Sequence, residues 1–316
     1  MRKPRGVIRA ETLARADSLP WVRRLFVLAF IWGWSFLFIK VAGEGLTPTT
    51  VAWSRIALGA AVLYAVLHGQ RRRVPVDRAS LRHYAVVTLA GNIVPFTLLA
   101  WGEQYITSAL TAVLNASTPL FTALFAAIGL GERLRPVQIA GLALGMVGVA
   151  VAAGLGASDL EGSSTAGALA AIFAGAGYGI AFVYMRRHLV SYPPIVAATG
   201  QLATGAVLLF PVAAATSVAG GVSLTPTRVA SILLLGVLGT GVAYVLNYRI
   251  IADIGATKAS LVTYIIPVVA VIVGIVVLDE PFEARLLVGG ALTVAGIAAV
   301  NRKPRTRMPE PSVLGP

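Results

Sequence analysis

Two basic residues and a tryptophan stand inside strongly apolar stretches of the chain. Lys40 and Trp34 belong to the segment IWGWSFLFIK, and Arg55 follows in the next apolar run. An ionisable group within an apolar span is costly, so it indicates a functional role unless it can reach the interface. A guanidinium can hold a carboxylate or phosphate through two hydrogen bonds, and an indole ring can contact apolar parts of a bound molecule. These three side chains are therefore predicted to bind a small molecule with an anionic group.

A structural interpretation competes with binding for some of these residues. Lys40 is near the end of its span, where a long basic side chain can reach the interface or form an ion pair with Glu103. Arg55 lies about two turns inside its span, which favours binding. Trp34 is near mid-span, too deep for the interfacial aromatic belt, whereas Trp32 can equally face lipid or another helix.

Further polar or amphipathic side chains are predicted at membrane depth. A hydrogen bond between membrane helices contributes about 0.6–2 kcal/mol, so such bonding explains each of these side chains as well as substrate contact does. Prolines near the middle of two spans are expected to act as hinges or packing kinks. The polar candidates are Asn92, Asn115, Tyr178, Gln201, Tyr244, Asn247 and Tyr264, and the prolines are Pro119 and Pro267.

The composition indicates that these residues belong to an integral membrane protein. The chain has 316 residues, of which 57% are hydrophobic and only 12% charged, and its mean hydropathy is +0.81. Soluble domains carry about 25% charged residues. There is no cysteine, which excludes disulfides and thiolate chemistry. The three histidines share no ligand spacing, so neither a metal nor a cofactor is expected.

The apolar runs predict an all-α integral membrane protein with ten transmembrane helices. Each run is close to the roughly 20 residues that cross the hydrocarbon core. The predicted spans are 24–43, 49–68, 83–102, 107–130, 136–156, 166–186, 194–218, 228–250, 257–278 and 285–301.

The distribution of basic residues supports this number of spans. With the N-terminus in the cytoplasm, nearly all lysines and arginines outside the spans fall on the cytoplasmic side, as the positive-inside rule requires. Only Arg228 and Arg285 fall outside. Both termini are therefore predicted to be cytoplasmic in a multi-pass protein of the plasma (inner) membrane. The net charge of +13 then reflects topology, and no nucleic-acid partner is expected.

The chain contains an internal repeat of five helices. A shift of 148 residues places Pro119 on Pro267 and Glu132 on Glu280 without a gap, and a shift of 146 places Pro48 on Pro194 and Arg55 on Gln201. Five is an odd number, so the second copy must enter the membrane from the opposite side. Inverted repeats place a binding site near the bilayer midplane and supply two related arrangements for alternating access.

The repeated segments resemble a known family. Pro119, the sequence Leu130-Gly131-Glu132-Arg133-Leu134 and the glycine-rich stretch Gly141 to Gly148 resemble the EamA repeat of the drug/metabolite transporter superfamily, as do Trp32 to Phe36 and Arg55. The second copy departs from the pattern, with Asp279 at the position of Gly131. The resemblance implies a ten-helix transporter of small metabolites, often an exporter of amino acids or similar compounds.

The domain organisation follows from the repeat. We expect a basic cytoplasmic tail at 1–23, a first five-helix repeat at 24–156, an outer linker at 157–165, a second repeat at 166–301 and a cytoplasmic tail at 302–316.

The leading functional interpretation is an exporter of amino acids or related zwitterionic or anionic compounds. No aspartate or glutamate is predicted at mid-depth, which argues against organic cations and leaves no evident proton carrier. Alternatives are a transporter of phosphorylated or nucleotide-linked metabolites and, with little support, a lipid-modifying membrane enzyme or a scaffold. The lipid bilayer and a small-molecule substrate are the expected partners. One chain holds both halves, so a monomer can suffice, and a homodimer stays open.

Overall fold

The computed structural model describes residues 19–154, 162–254 and 262–301. Within these ranges every regular element is helical. The predicted tail 302–316, most of the predicted tail 1–23 and of the linker 157–165, and the first residues of the predicted span 257–278 lie outside the described residues.

The described residues form helical segments that we label α1 to α10. Two helices, α3 and α8, each contain an internal π-helical stretch, and α4 is interrupted by a turn after Asn115. The bounds are α1 Leu19–Gly43, α2 Pro48–Gly69, α3 Arg78–Gly102 with its π-helix at Leu89–Ile93, α4 Ser108–Asn115 and Thr118–Leu130, α5 Pro136–Ala153, α6 Gly162–His188, α7 Pro194–Gly220, α8 Pro226–Leu233, Leu234–Val242 (π) and Ala243–Ile254, α9 Val262–Leu278 and α10 Ala284–Val300.

Local sequence signals determine where several helices begin and end. Thr47 and Asp77 cap α2 and α3, because their side chains accept hydrogen bonds from the first free backbone N–H groups. The Asp77 cap lets α3 begin before the predicted residue 83. Gly131 and Gly154 adopt positive φ angles of 69° and 71° and end α4 and α5. For this reason α5 stops short of the predicted residue 156.

The helices form a membrane protein. Eight of them, α1 to α8, are long and apolar enough to cross a bilayer, whereas the described parts of α9 and α10 are apolar but only 17 residues long. Large apolar side chains also cover the outside of the bundle, where lipid can solvate them. Examples at least 54% exposed are Phe26, Phe30, Ile128, Phe173, Val207, Phe210 and Val276.

The two copies of the repeat meet through α5 and α10. A methyl group added to Gly148 would lie 2.7 Å from the carbonyl oxygen of Gly289, and one added to Gly141 would lie 2.8 Å from that of Gly296. Gly289 and Gly296 are the repeat equivalents of Gly141 and Gly148. The contacts are therefore reciprocal, as across a two-fold axis, and their order along the two helices is antiparallel. Only glycine permits this close an approach.

Other helices of the first copy pack against helices of the second copy. Helix α1 packs on α9 and α6 packs on α4, while α2 contacts α8 and α7 contacts α3. The repeat relates the first contact to the second and the third to the fourth, because α1 corresponds to α6, α4 to α9, α2 to α7 and α3 to α8. One end of the bundle carries Glu103 and Glu280, and the opposite end carries Arg72 and Arg186; we call these the Glu103 end and the Arg186 end.

Candidate functional site

A buried polar cluster lies where α2, α3, α6 and α8 meet. Its centre is Arg55 of α2, which is only 7% exposed. The Arg55 Nε atom donates a hydrogen bond to Oγ1 of Thr240 at 2.9 Å, and the guanidinium lies 3.9 Å from the centre of the Phe96 ring. Tyr178 and Tyr244 are close enough to interact electrostatically with Arg55, and the Phe96 and Tyr178 rings are in edge-on contact at 6.3 Å.

The two π-helical stretches position the polar groups of the cluster. Thr240 lies in the π-helix of α8 and donates to the carbonyl of Leu235, five residues earlier, at 3.1 Å. Asn92 lies in the π-helix of α3 and donates through Nδ2 to the hydroxyl of Tyr244 at 3.0 Å. Wider turns of this kind re-aim side chains and are frequent at functional sites. The 148-residue shift relates Asn92 to Thr240, so both copies place a polar group at the same point.

Arg55 is a buried cation without a paired anion. Within the described residues its terminal guanidinium nitrogens donate no hydrogen bond, and no carboxylate lies within ion-pair distance. A buried charge is costly unless it is paired and hydrogen-bonded. The stacked Phe96 ring and the Thr240 hydroxyl offset part of that cost. The arrangement is suited to receive the carboxylate or phosphate of a bound molecule.

Several neighbouring helices carry polar atoms that the chain itself does not satisfy. Native proteins hydrogen-bond most buried polar groups, so each unpaired atom requires an explanation such as a bound molecule. The buried side-chain atoms without a hydrogen-bond partner in the described residues include Asn92 Oδ1, Thr97 Oγ1, Asn115 Oδ1, Gln201 Oε1 and Trp34 Nε1.

Of the predicted site residues, the structure groups Arg55, Asn92, Tyr178 and Tyr244. Among the described residues, no hydrogen bond or ring contact joins the other candidates to this cluster. Those candidates are Trp34, Lys40, Asn115, Gln201, Asn247 and Tyr264.

Lys40 bonds to the main chain at the Glu103 end. Its ammonium donates to the carbonyl oxygens of Glu103 and, at 3.1 Å, of Ile106. The predicted ion pair with the Glu103 carboxylate is absent from the ion pairs of the described residues. Lys40 thus fastens α1 to the loop between α3 and α4.

The tryptophans of α1 differ in their partners. Trp32 donates its indole N–H to the carbonyl of Gly239 at 3.1 Å, inside the π-helix of α8. Trp34 lies between the rings of Phe30 and Phe38, with centroid distances of 5.6 Å and 6.0 Å, and its N–H has no hydrogen-bond partner in the described parts of the chain. Trp32 therefore holds the backbone that presents Thr240, a role that hydropathy alone could not reveal.

Tyr264 and the two prolines lie apart from the cluster. Tyr264 accepts a hydrogen bond from Asn301 at 3.0 Å, at the exposed end of α10. Pro119 follows the turn that interrupts α4, and Pro267 lies inside α9. Their proposed role as hinges stays a prediction.

Two residues of the site, Phe96 and Thr240, escaped the sequence analysis. Phe96 and Thr240 have no charge, but the 148-residue shift pairs Phe96 with Tyr244 and Asn92 with Thr240, which could have identified both. Outside this cluster, Glu103 was predicted at a span end and as a possible partner of Lys40, and the structure shows that it is only 2% exposed.

Comparison with known proteins identifies the family. The model of the EamA-like transporter family matches the chain twice, at residues 19–154 and 165–302. The chain belongs to the EamA-like transporter family. It is thus a multi-pass plasma-membrane protein whose relatives are named as transporters rather than enzymes.

Individual relatives are similar over most of their length. The uncharacterized transporter YoaV of Bacillus subtilis (strain 168) is 26% identical over 85% of this chain and 92% of its own. A protein of Streptantibioticus cattleyicolor named "Probable terminal-alkyne amino-acid exporter" is 29% identical over 92% of this chain and 96% of its own. The uncharacterized inner membrane transporter YedA of Escherichia coli (strain K12) is 26% identical over 81% and 82%.

A solved structure has the same fold. It aligns with a TM-score of 0.61 at 21% identity and covers 90% of this chain and 96% of its own. At this identity the likeness concerns the fold alone.

Proposed function

We propose that this protein exports amino acids or related zwitterionic or anionic organic compounds by alternating access. In this proposal all ten helices cross the membrane, both termini and the Arg186 end face the cytoplasm, and the Glu103 end faces outward. The repeats then correspond to the two five-helix domains predicted above. The bias of basic residues toward the Arg186 end supports this orientation.

Arg55 is the observation that carries the proposal for the substrate. It is a buried cation without an ion-pair partner among the described residues, and it lies between elements of both copies. A carboxylate can accept two parallel hydrogen bonds from its terminal nitrogens. The rings of Phe96, Tyr178 and Tyr244 offer apolar surface to the rest of the molecule.

The likeness to a protein named as an amino-acid exporter supports the same substrate class. Its compound need not be the compound moved here, because a shared fold does not fix a substrate. Phosphorylated or nucleotide-linked metabolites are the second candidate, since a guanidinium binds phosphate as readily as carboxylate. A lipid-modifying enzyme has no support from the residues around Arg55, none of which is a nucleophile beside a general base.

Counterflow in proteoliposomes tests the proposal. Purified protein is reconstituted, loaded with unlabelled compound and challenged with labelled L-leucine, succinate, glucose 6-phosphate or tetraphenylphosphonium. We expect saturable exchange of L-leucine or succinate. Exchange of glucose 6-phosphate alone would favour the second candidate. Exchange of only the organic cation, or exchange of none of the four compounds, would contradict the proposal.

A further inference from the structure

Glu103 is a buried carboxyl group outside the Arg55 cluster. It follows the last residue of α3 and is 2% exposed, and neither carboxyl oxygen accepts a hydrogen bond within the described part of the chain. The residue lines a cavity of about 340 Å³ at the Glu103 end, together with Ile39, Lys40, Glu44 and Gln104. An unpaired buried carboxylate is costly, and the cost is avoided when the group binds a proton.

The ionisable groups around Glu103 come from three sides. Lys40 of α1 and Arg55 of α2 favour its charged form, and Glu280 from the loop after α9 disfavours it. The Lys40 ammonium is already held by two main-chain carbonyls. Helix α6 approaches α3 here with Gly167, which has no ionisable group. Glu44 shares the cavity but forms an ion pair with Arg228 at 3.6 Å and is 59% exposed.

The neighbouring carboxylate of Glu280 is hydrogen-bonded, unlike that of Glu103. It accepts the backbone N–H groups of Ser108 and Ala109 at 2.7 Å and 3.0 Å, at the N-terminus of α4. Helix N-termini favour negative charge. Hydrogen bonds to a carboxylate favour its charged form, so a buried carboxyl group without donors binds a proton more readily than one that has them. In this pair that group is Glu103.

We propose that Glu103 is the proton-binding site of this transporter and that its protonation is linked to anion binding at Arg55. Both groups adjoin α3, because Phe96 of that helix lies against the Arg55 guanidinium and Glu103 follows about two turns later at its end, so their charges interact through the interior of the bundle. An ionised Glu103 partly neutralises the field of Arg55. A protonated Glu103 leaves that field to the carboxylate of the substrate, so proton and substrate bind with positive cooperativity. This linkage rests on the proposed function, and it is reciprocal by thermodynamic necessity.

The first test needs no substrate. Infrared difference spectra of the purified protein are recorded during a pH titration, and the C=O stretching band of protonated carboxyl groups is followed. We expect one band in the wild type that is missing in Glu103→Gln and retained in the matched control Glu44→Gln. Identical titrations of the wild type and Glu103→Gln would overturn the proton site.

The second test measures linkage with L-leucine and succinate as probes. The measurement is made about one pH unit above the midpoint of the infrared titration. A pH-indicator dye reports how many protons the protein takes up when a probe is added. We expect about one proton per bound molecule, and affinity that strengthens up to about tenfold per unit of falling pH. In Glu103→Gln both effects should vanish while binding persists, and Glu44→Gln should match the wild type.

The outcomes separate the two proposals. Proton uptake that persists in Glu103→Gln would overturn the linkage, even if both probes bind. If neither probe binds the wild type, the proposed substrate class fails, while the infrared titration still decides whether Glu103 binds a proton.

Discussion

Glu132 and Glu280 occupy equivalent positions in the two copies, yet their surroundings differ. Glu280 crosses to the other copy and caps α4 through two backbone N–H groups. Glu132 pairs at 2.6 Å with Arg186, and these side chains are 41% and 64% exposed. The residues of copy two that correspond to Ser108 and Ala109 lie outside the described ranges. The Glu103 end is thus held by a partly buried contact between the copies, whereas the counterpart carboxylate of Glu132 forms an exposed ion pair.

The difference in surroundings corresponds to a difference in sequence six residues earlier in the chain. A methyl group on Gly274 would lie 2.5 Å from Oε2 of Glu280, so only glycine leaves room for the docked carboxylate. The 148-residue shift places Ala126 at the equivalent position of α4. The first copy therefore carries a methyl group where the second has none. Within the described residues the two equivalent carboxylates therefore have different partners, and we infer that Glu280 acts as a latch that closes the Glu103 end.

Removing the latch should have the largest effect. Glu280→Ala leaves two backbone donors at the N-terminus of α4 unpaired and should weaken the closed state by about 3 kcal/mol. The chain has no cysteine, so a cysteine introduced at buried Ala100, which lines the cavity, can report opening. We expect maleimide labelling to rise at least about tenfold.

The matched control is Glu132→Ala in the same Ala100→Cys background. Its partner is at the surface, so labelling should stay near the wild-type rate. Equal increases in both variants would remove the distinction between the two carboxylates.

Filling the space beside the latch should have a similar but smaller effect. Gly274→Ala would place a methyl group 2.5 Å from Oε2 of Glu280 and 3.2 Å from the hydroxyl oxygen of Ser108. Labelling at Ala100→Cys should rise several-fold. Ala126→Gly in the first copy is the control, and it should cost only the helix propensity of about 1 kcal/mol without altering labelling. Unchanged labelling in Gly274→Ala would show that Glu280 does not need this space.

Breaking the surface pair should have a minor effect on stability. Arg186→Gln removes the partner of Glu132, and exposed ion pairs contribute about 0–1 kcal/mol. Thermal unfolding in detergent should shift little, and less still in high salt. If Arg186→Gln lowered the melting temperature as much as Glu280→Ala does in the same assay, the pair of Glu132 and Arg186 would also hold its end of the bundle closed.

The smallest expected effect concerns one backbone position that the two copies share. Gly131 and Asp279 are repeat equivalents, and both have positive φ, at 69° and 52°. Asp279 thus adopts the same left-handed conformation as Gly131, although it is not a glycine. Asp279→Gly should stabilise the protein by about 1 kcal/mol, measurable as a small rise in melting temperature. A fall would indicate that the aspartate side chain itself stabilises the loop.

The sequence indicated a helical membrane protein with a repeat, because both rest on long-range patterns of apolar, glycine and proline residues, and eight of the ten predicted spans are candidate membrane spans in the described residues. The glycines at 141, 148, 289 and 296 meet as the repeat implies. The π-helices of α3 and α8 left no trace in hydropathy, since they consist of the same apolar residues as the helix around them. As a result Thr240 and the role of Trp32 were missed.

The burial of side chains at helix ends was the other feature that the sequence did not predict. Lys40 and Glu103 stand at span ends in the sequence, and a helix end is normally wet. In the structure Glu103 is nevertheless buried, and Lys40 bonds to main-chain carbonyls. Such enclosure depends on tertiary packing, which spacing along one chain does not report.

The most direct test of the account is counterflow of L-leucine and succinate by Arg55→Gln beside Arg228→Gln. Arg228 is also basic but pairs with Glu44 at the Glu103 end. The account predicts that Arg55→Gln folds, as judged by its melting temperature, and loses at least about 100-fold in exchange, the value of a charged bidentate contact of roughly 3 kcal/mol. Arg228→Gln should exchange at the wild-type rate. Exchange that survives in a folded Arg55→Gln would contradict a site built around this guanidinium.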